Sequence, residues 1–142
     1  MKLFGKRIKN IVIAGCGRTG AELAMYFYRK NHHVTVIDTR KEAFQKLSSD
    51  YGGERVTGDA GDFFVLEKAG IKEADLFVAV TDRDNVNLFT AELVQYKYQL
   101  PNIVSRVDDE DKQSLLKQSG IELFCPIKIS EEEKNRFEEW GL

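Results

Sequence analysis

The stretch Ile11-Val12-Ile13-Ala14-Gly15-Cys16-Gly17-Arg18-Thr19-Gly20 decides how this chain is read. A β-branched apolar run breaks into G-x-G-x-x-G and then feeds an amphipathic segment, Ala21 to Lys30. Each glycine answers a separate demand: Gly15 permits a tight turn, Gly17 lets a pyrophosphate approach bare backbone, and Gly20 lets helix and strand pack closely. The helix that opens there turns unpaired N–H groups and the positive end of its dipole toward an anion.

Glycines also punctuate ordinary turns, so the context has to carry the reading. It supplies a strand before, a helix after, a second strand His33-Val34-Thr35-Val36-Ile37, and Asp38 at that strand's end. Asp38 lies 18 residues beyond Gly20, close to the ~20 of dinucleotide-binding βαβ units. A carboxylate there accepts hydrogen bonds from a ribose 2′-OH and repels a 2′-phosphate, which favours NAD(H) or an adenosine nucleotide over NADP(H). Arg40, two residues on, pulls the other way, since a nearby arginine accommodates a 2′-phosphate.

A chain of 142 residues is one domain with a single sizeable core. Hydrophobic residues at 42% and charged residues at 31% describe an ordinary globular protein. A net charge of −2 offers no basic field for nucleic acid. No apolar run approaches the ~20 residues that span a bilayer, so direct membrane insertion is not expected. The N-terminus, Met1 to Arg7, is basic without an apolar core or cleavage site, and is not expected to be a signal peptide. Cys16 and Cys125 are the only cysteines and form no C-x-x-C, so the expectation is a reducing, cytoplasmic setting without disulfide or zinc. Cys16 is either a small residue that fits the turn or a thiol activated by the helix terminus.

Strand and helix alternate to the end of the chain. Arg40 to Ser49 reads as a short helix, Arg55 to Gly58 as a strand, and Phe63 to Ala69 as a helix capped by Asp62 and closed by Gly70. The apolar run Ala74 to Thr81 reads as a central strand buried on both faces. A long helix then runs from Asn85 to Tyr98, with Asp84 or Asn85 as its cap, and Pro101 ends it. The strand Ile103 to Val107, a helix Glu110 to Gln118 and the strand Ile121 to Cys125 follow. Ser130 to Glu133 is a capping box that opens a last helix carrying Phe137 and Trp140. The pattern predicts an α/β fold: a doubly wound, Rossmann-like parallel sheet of about six strands, order 3-2-1-4-5-6, with helices on both faces. Residues 1–129 make the domain and 130–142 a C-terminal helix.

Ligands of such sheets bind at the carboxyl ends of the strands, where the strand order reverses. Gly15 to Gly20, Asp38, Asp59 with Ala60, Thr81 with Asp82, and Arg106 all fall at such ends. His32 and His33 fall at the opposite edge and read as a solvated turn. An NAD-dependent oxidoreductase, the alternative function, also needs a proton donor and a substrate domain. Tyr96 and Lys97 lack the Tyr-x-x-x-Lys spacing of small dehydrogenases, so no catalytic residue is assigned. Arg18 is either a forked partner for a phosphate or a solvated first-turn residue. On the long helix, Val86, Phe89 and Leu93 form one apolar stripe and Leu88, Ala91 and Val94 a second. One stripe suffices for a helix wet on its other side, so the second points to a partner subunit or to deep burial.

The glycine loop, Asp38, Gly58-Asp59-Ala60, and Ala74 to Asp82 with Asn85 and Asn87 together resemble the TrkA-type N-terminal domain. That is the nucleotide-binding half of RCK regulators of potassium conductance. The resemblance implies a cytoplasmic regulatory module, not an enzyme, that binds NAD(H) or AMP, ADP or ATP and controls a membrane potassium channel or transporter. It implies that Gly15, Cys16, Gly17, Arg18, Thr19 and Gly20 hold phosphates and that Asp38, with Thr39 and Arg40 beside it, holds the ribose. Asp59 and Ala60 lie by the adenine, with Thr81, Asp82, Asn85 and Arg106 nearby. It implies a homodimer or higher ring through helices 85–98 and 110–118, with the last helix offered to a partner subunit. Some ATP-binding members carry an acid after the proline matching Pro126, where this chain has Ile127; no metal site is expected.

Overall fold

A computed structural model describes residues 7–117, 119–124 and 130–142. Six strands form one parallel sheet: β1 Asn10–Ala14, β2 His33–Asp38, β3 Glu54–Thr57, β4 Leu76–Ala79, β5 Asn102–Arg106 and β6 Glu122–Phe124. Their order is β3-β2-β1-β4-β5-β6 with every neighbour parallel, as the alternation predicts. The order reverses between β1 and β4, so the chain leaves β1 toward one edge and returns on the other side to lay down β4. The carboxyl ends of β1, β2 and β4 therefore open onto a common crevice.

Register divides the core into two. Ile11 pairs with Val34 and Leu76, and Ile13 with Val36 and Val78, so these side chains share one face of the sheet. That face is covered by α1, Arg18–Arg29, and by the 3₁₀ segment Lys41–Lys46, through Leu23, Ala24, Phe27, Ala43 and the following Leu47. Val12, Ala14, Phe77 and Ala79 fill the other face beneath α2, Phe63–Lys68, and α3, Asp84–Lys97. The segment read as an ordinary short helix at 40–49 is thus 3₁₀. Asp62 caps α2 by accepting from the Phe64 N–H at 2.8 Å, and Gly70 follows it at φ +86°.

Several local expectations change. The helix expected over 110–118 is α4, Glu110–Gln113, which tightens into a 3₁₀ turn at Ser114–Leu116; Asp109 caps it through the Asp111 and Lys112 N–H groups. His32 is buried and not solvated: its Nδ1 accepts from the Lys9 N–H at 3.1 Å, and its ring tilts against Phe27. The last helix, α5 Glu131–Glu139, is capped by Ser130, which accepts from the Glu133 N–H. It lies back on α1 of its own chain. Phe137 and Leu142 are fully buried there, with Phe137 edge-on to Phe27. Burying such side chains stabilises by about 1.5–3 kcal/mol each. Cys125, Pro126 and Ile127 lie outside the described residues. None of the described helices is long and apolar enough to cross a membrane.

Candidate functional site

Gly15, Gly17 and Gly20 do three different things in the β1–α1 turn. Gly15 stands at φ +113°, and a Cβ there would sit 2.9 Å from the Val80 carbonyl and the Thr81 nitrogen. Its N–H donates to the Ile37 carbonyl at 2.8 Å, tying the turn to the end of β2. A Cβ on Gly20 would fall 1.9 Å from the Gly15 oxygen, so this glycine lets α1 close onto the loop. Above Gly17 a Cβ would meet nothing within 4 Å. Gly17 is the N-cap of α1 and has no side chain to satisfy the first-turn amides. Fold demands explain Gly15 and Gly20, whereas Gly17 leaves clear space over a helix N-terminus, where an anion fits.

Asp38 closes the loop from the neighbouring strand. Its Oδ2 accepts from the Cys16 N–H at 2.8 Å and its Oδ1 from the Arg40 N–H at 2.9 Å. Each carboxylate oxygen has a second acceptor site, so a hydroxyl donor can still be received. The Cys16 side chain is fully buried beneath the loop. Burial, reinforced by the charge of Asp38, pushes its thiol up to about 11. Of the two readings of Cys16, the small residue that fits the turn is therefore the one the structure bears out, since the activated thiol would need the opposite shift.

Across the crevice, Asn87 holds the end of β4. It has no exposed surface, and its Oδ1 accepts from the Thr81 N–H at 2.8 Å and the Thr81 hydroxyl at 2.7 Å. Its Nδ2 donates to the Thr81 carbonyl at 3.0 Å and to the Arg106 carbonyl at 2.9 Å, which joins β4 to β5. Neither Asp84 nor Asn85 caps α3: the cap is Arg83, without a side-chain bond. Asp84 instead accepts from the Asp108 and Asp109 N–H groups, each at 2.9 Å. Burial pushes its carboxyl up, but those two donations outweigh it and hold the group below its ordinary value.

Between these walls lies a crevice of about 480 Å³. Of the expected residues it gathers Gly15, Cys16, Gly17, Asp38, Thr39, Arg40, Asp59, Ala60, Thr81 and Asp82. Asp59 shapes its own corner by accepting from the Gly61 N–H at 2.8 Å. Thr19 and Gly20 are buried behind the loop and do not line it. Asn85 is exposed on α3 outside the lining. Arg106 turns away: its guanidinium forks onto Asp108 at 3.0 and 3.2 Å, a hydrogen bond that raises its pKa further. Arg18 faces a second groove on the outer side of α1. Lys46, Arg83 and Val86, which local reading did not assign to the site, also line it, as do Ala14, Ile37, Ala43 and Gly58. The sequence places Val86 on an apolar stripe of the long helix and not in the site, and no motif marks Lys46 or Arg83.

The fold is that of a Rossmann-like domain, and this crevice sits at the strand-order reversal, where ligands of such sheets bind. A family model described as the TrkA-N domain matches residues 11–125, and the chain belongs to that family. The chain is 36% identical, over 84% of its length and 53% of the relative's, to the Trk system potassium uptake protein TrkA of Streptomyces coelicolor. It spans about half the length of this relative and of the TrkA homologs of Methanothermobacter thermautotrophicus and Pyrococcus abyssi. Among solved structures it superposes on the Shewanella denitrificans Kef CTD in AMP-bound form with TM-score 0.71 and 28% identity, covering 82% of this chain and 71% of that one. The TrkA-N domain of the Escherichia coli inner membrane protein ybaL shares the fold at TM-score 0.72 and 16% identity, over 94% and 95% of the two chains.

Proposed function

We propose that this chain is a nucleotide-sensing module that controls potassium movement through a membrane channel or transporter from its cytoplasmic face. The observation that carries the reading is the open space over Gly17, at the start of α1, with the Asp38 carboxylate across the same crevice. Phosphates rest on the amides that open α1, the ribose hydroxyls reach Asp38, and the base lies toward Asp59 and Ala60. NAD(H) or an adenine nucleotide fits that sequence of contacts. The AMP carried by the Kef relative and the potassium-uptake role named for the TrkA relative support it. The ligand acts by being held and not by being consumed.

Control requires two arrangements that the ligand distinguishes, since equal affinity for both shifts nothing. A homodimer through α3 and α4 supplies them in this reading. Phe89 and Tyr96 on α3, and Leu115 in the 3₁₀ turn that follows α4, are exposed apolar side chains, at 58%, 89% and 64%. Arg18, whose side chain lies outside its own crevice, reaches a phosphate held by the neighbouring subunit. Calorimetry with AMP, ADP, ATP, NAD+, NADH and NADP+ tests the crevice. Asp38→Asn replaces one acceptor oxygen with a donor amide, and the expected loss is roughly tenfold in affinity, the size of one hydrogen bond to a charged group. Silence toward every compound, or turnover of one with a reducible metabolite, overturns the reading.

A further inference from the structure

A second concavity of about 780 Å³ runs along the outer face of α1, between the 3₁₀ segment and α5. Its charge is lopsided for a chain of net charge −2: Arg18, Arg29, Lys30, Lys46 and Lys134 line it, against the single carboxylate of Glu22. Three of these cations already have carboxylates within the chain. Arg29 meets Asp50, Lys30 meets Glu138 and Lys134 meets Glu131, all at 3.4 Å. Arg18 and Lys46 make no ion pair among the described residues. The floor is apolar, with Met25 and Ala21 buried and Tyr26 half-buried. The ammonium groups of Lys30 and Lys134 stand 5.1 and 5.9 Å from the Tyr26 ring centre.

Size and shape narrow the occupant. Arg18 and Arg29 open and close α1, so they lie about 16 Å apart along the helix axis. One small anion cannot touch both, whereas about five residues of extended chain cover that distance. A flat layer of lipid headgroups resting on the cations would leave the recessed Met25 and Tyr26 floor unfilled. We propose that this groove docks an extended acidic peptide segment of a partner protein, its carboxylates on Arg18, Lys46, Arg29 and Lys134, with an apolar side chain over Met25 and Tyr26. Docking needs no nucleotide; it shares Arg18 with the reading of the crevice, so in the dimer of that reading the peptide and the neighbour's phosphate compete for this one guanidinium, and Arg29, Lys30 and Lys134 belong to the groove alone. Lys46 forms the wall between the two, which sets the peptide beside the crevice.

The test is fluorescence anisotropy with a labelled, amidated peptide EDFEDL and its basic counterpart KKFKKL. EDFEDL is expected to saturate, KKFKKL not, and the affinity to fall at least about tenfold between about 50 and about 300 mM salt. The double variant Arg29→Glu with Lys134→Glu, both outside the crevice, is expected to lose at least about tenfold in EDFEDL affinity while AMP binding, read by calorimetry, stays at the wild-type level. Arg18→Glu, an exposed first-turn substitution favoured by the helix dipole, gives a second folded variant with the same expected loss. No saturable binding of EDFEDL, unchanged binding by both variants, or tighter binding of anionic phospholipid vesicles or a thymidine oligonucleotide than of the peptide would overturn the proposal. Failure of AMP to bind the wild type bears on the crevice alone.

Discussion

The two walls of the crevice are built by opposite means. On the β1–β2 side the backbone itself is shaped, by glycines at positions where a Cβ would strike neighbouring main chain, and Asp38 merely latches the result. On the β4–β5 side the backbone is ordinary and one buried amide, Asn87, carries the connections between strand ends. The first wall holds because residues are missing atoms; the second holds because one residue supplies both donors and an acceptor. A loop built on absence leaves room for something else, and this is the wall with free space over the helix terminus. The wall built on an amide is filled by its own side chain.

The largest way to break this comparison is Asn87→Ala. It orphans the Thr81 N–H and the carbonyls of Thr81 and Arg106, and each buried unpaired group costs about 1–3 kcal/mol. The expected destabilisation is about 3 kcal/mol, a fall in Tm of roughly 10 °C by calorimetry for a chain of this size. A loss under about 1 kcal/mol would mean that the strand ends hold without the amide. Within the other wall, Gly20→Ala and Gly17→Ala should part company. Helix propensity alone would favour alanine at Gly20 by up to about 1 kcal/mol. The contact with the Gly15 oxygen is with backbone and cannot swing aside, so overpacking wins by about 2 kcal/mol. Gly17→Ala meets nothing, and should change stability by about 0.5 kcal/mol or less while reducing nucleotide affinity. Equal melting temperatures for the two variants would dissolve the distinction.

The same contrast explains how far the sequence could be read. The glycine wall announces itself at short range, by fixed offsets along the chain, and so do the strand order and the carboxylate after β2. Asn87 bonds to residues 6 and 19 positions away, one just beyond β4 and one at the end of β5, so no local spacing exposes it. Its place in the TrkA-like pattern was the sole signal. Arg18 belongs to the motif by sequence, yet side chains on the first turn of a helix fan outward, and this one falls on the far side of α1. His32 looked like half of a solvated pair because the bond from Lys9 spans 23 residues. The contact of Phe137 with Phe27 joins residues 110 positions apart, so nothing within α5 itself announces it.

The smallest expected effect sharpens the comparison through pH. Asp84 accepts two backbone amides in one wall as Asp38 does in the other, and in Asp84 those donations hold the carboxyl below its ordinary value. A carboxyl whose folded pKa lies below its unfolded one contributes stability above the unfolded value, near pH 4, and loses that contribution as pH falls through the folded pKa. Asp84→Asn keeps one acceptor and cannot titrate. Its loss of stability relative to wild type should therefore be largest above about pH 5 and shrink on acidification, as read from urea midpoints at a series of pH values. The effect is modest because the β4–α3 and β5–α4 loops that Asp84 ties together are open to solvent, which screens the charge. Midpoints that fall in parallel for the two proteins down to pH 3 would place the acid sensitivity elsewhere, and would reduce Asp84 to a hinge that its two amides could share with water.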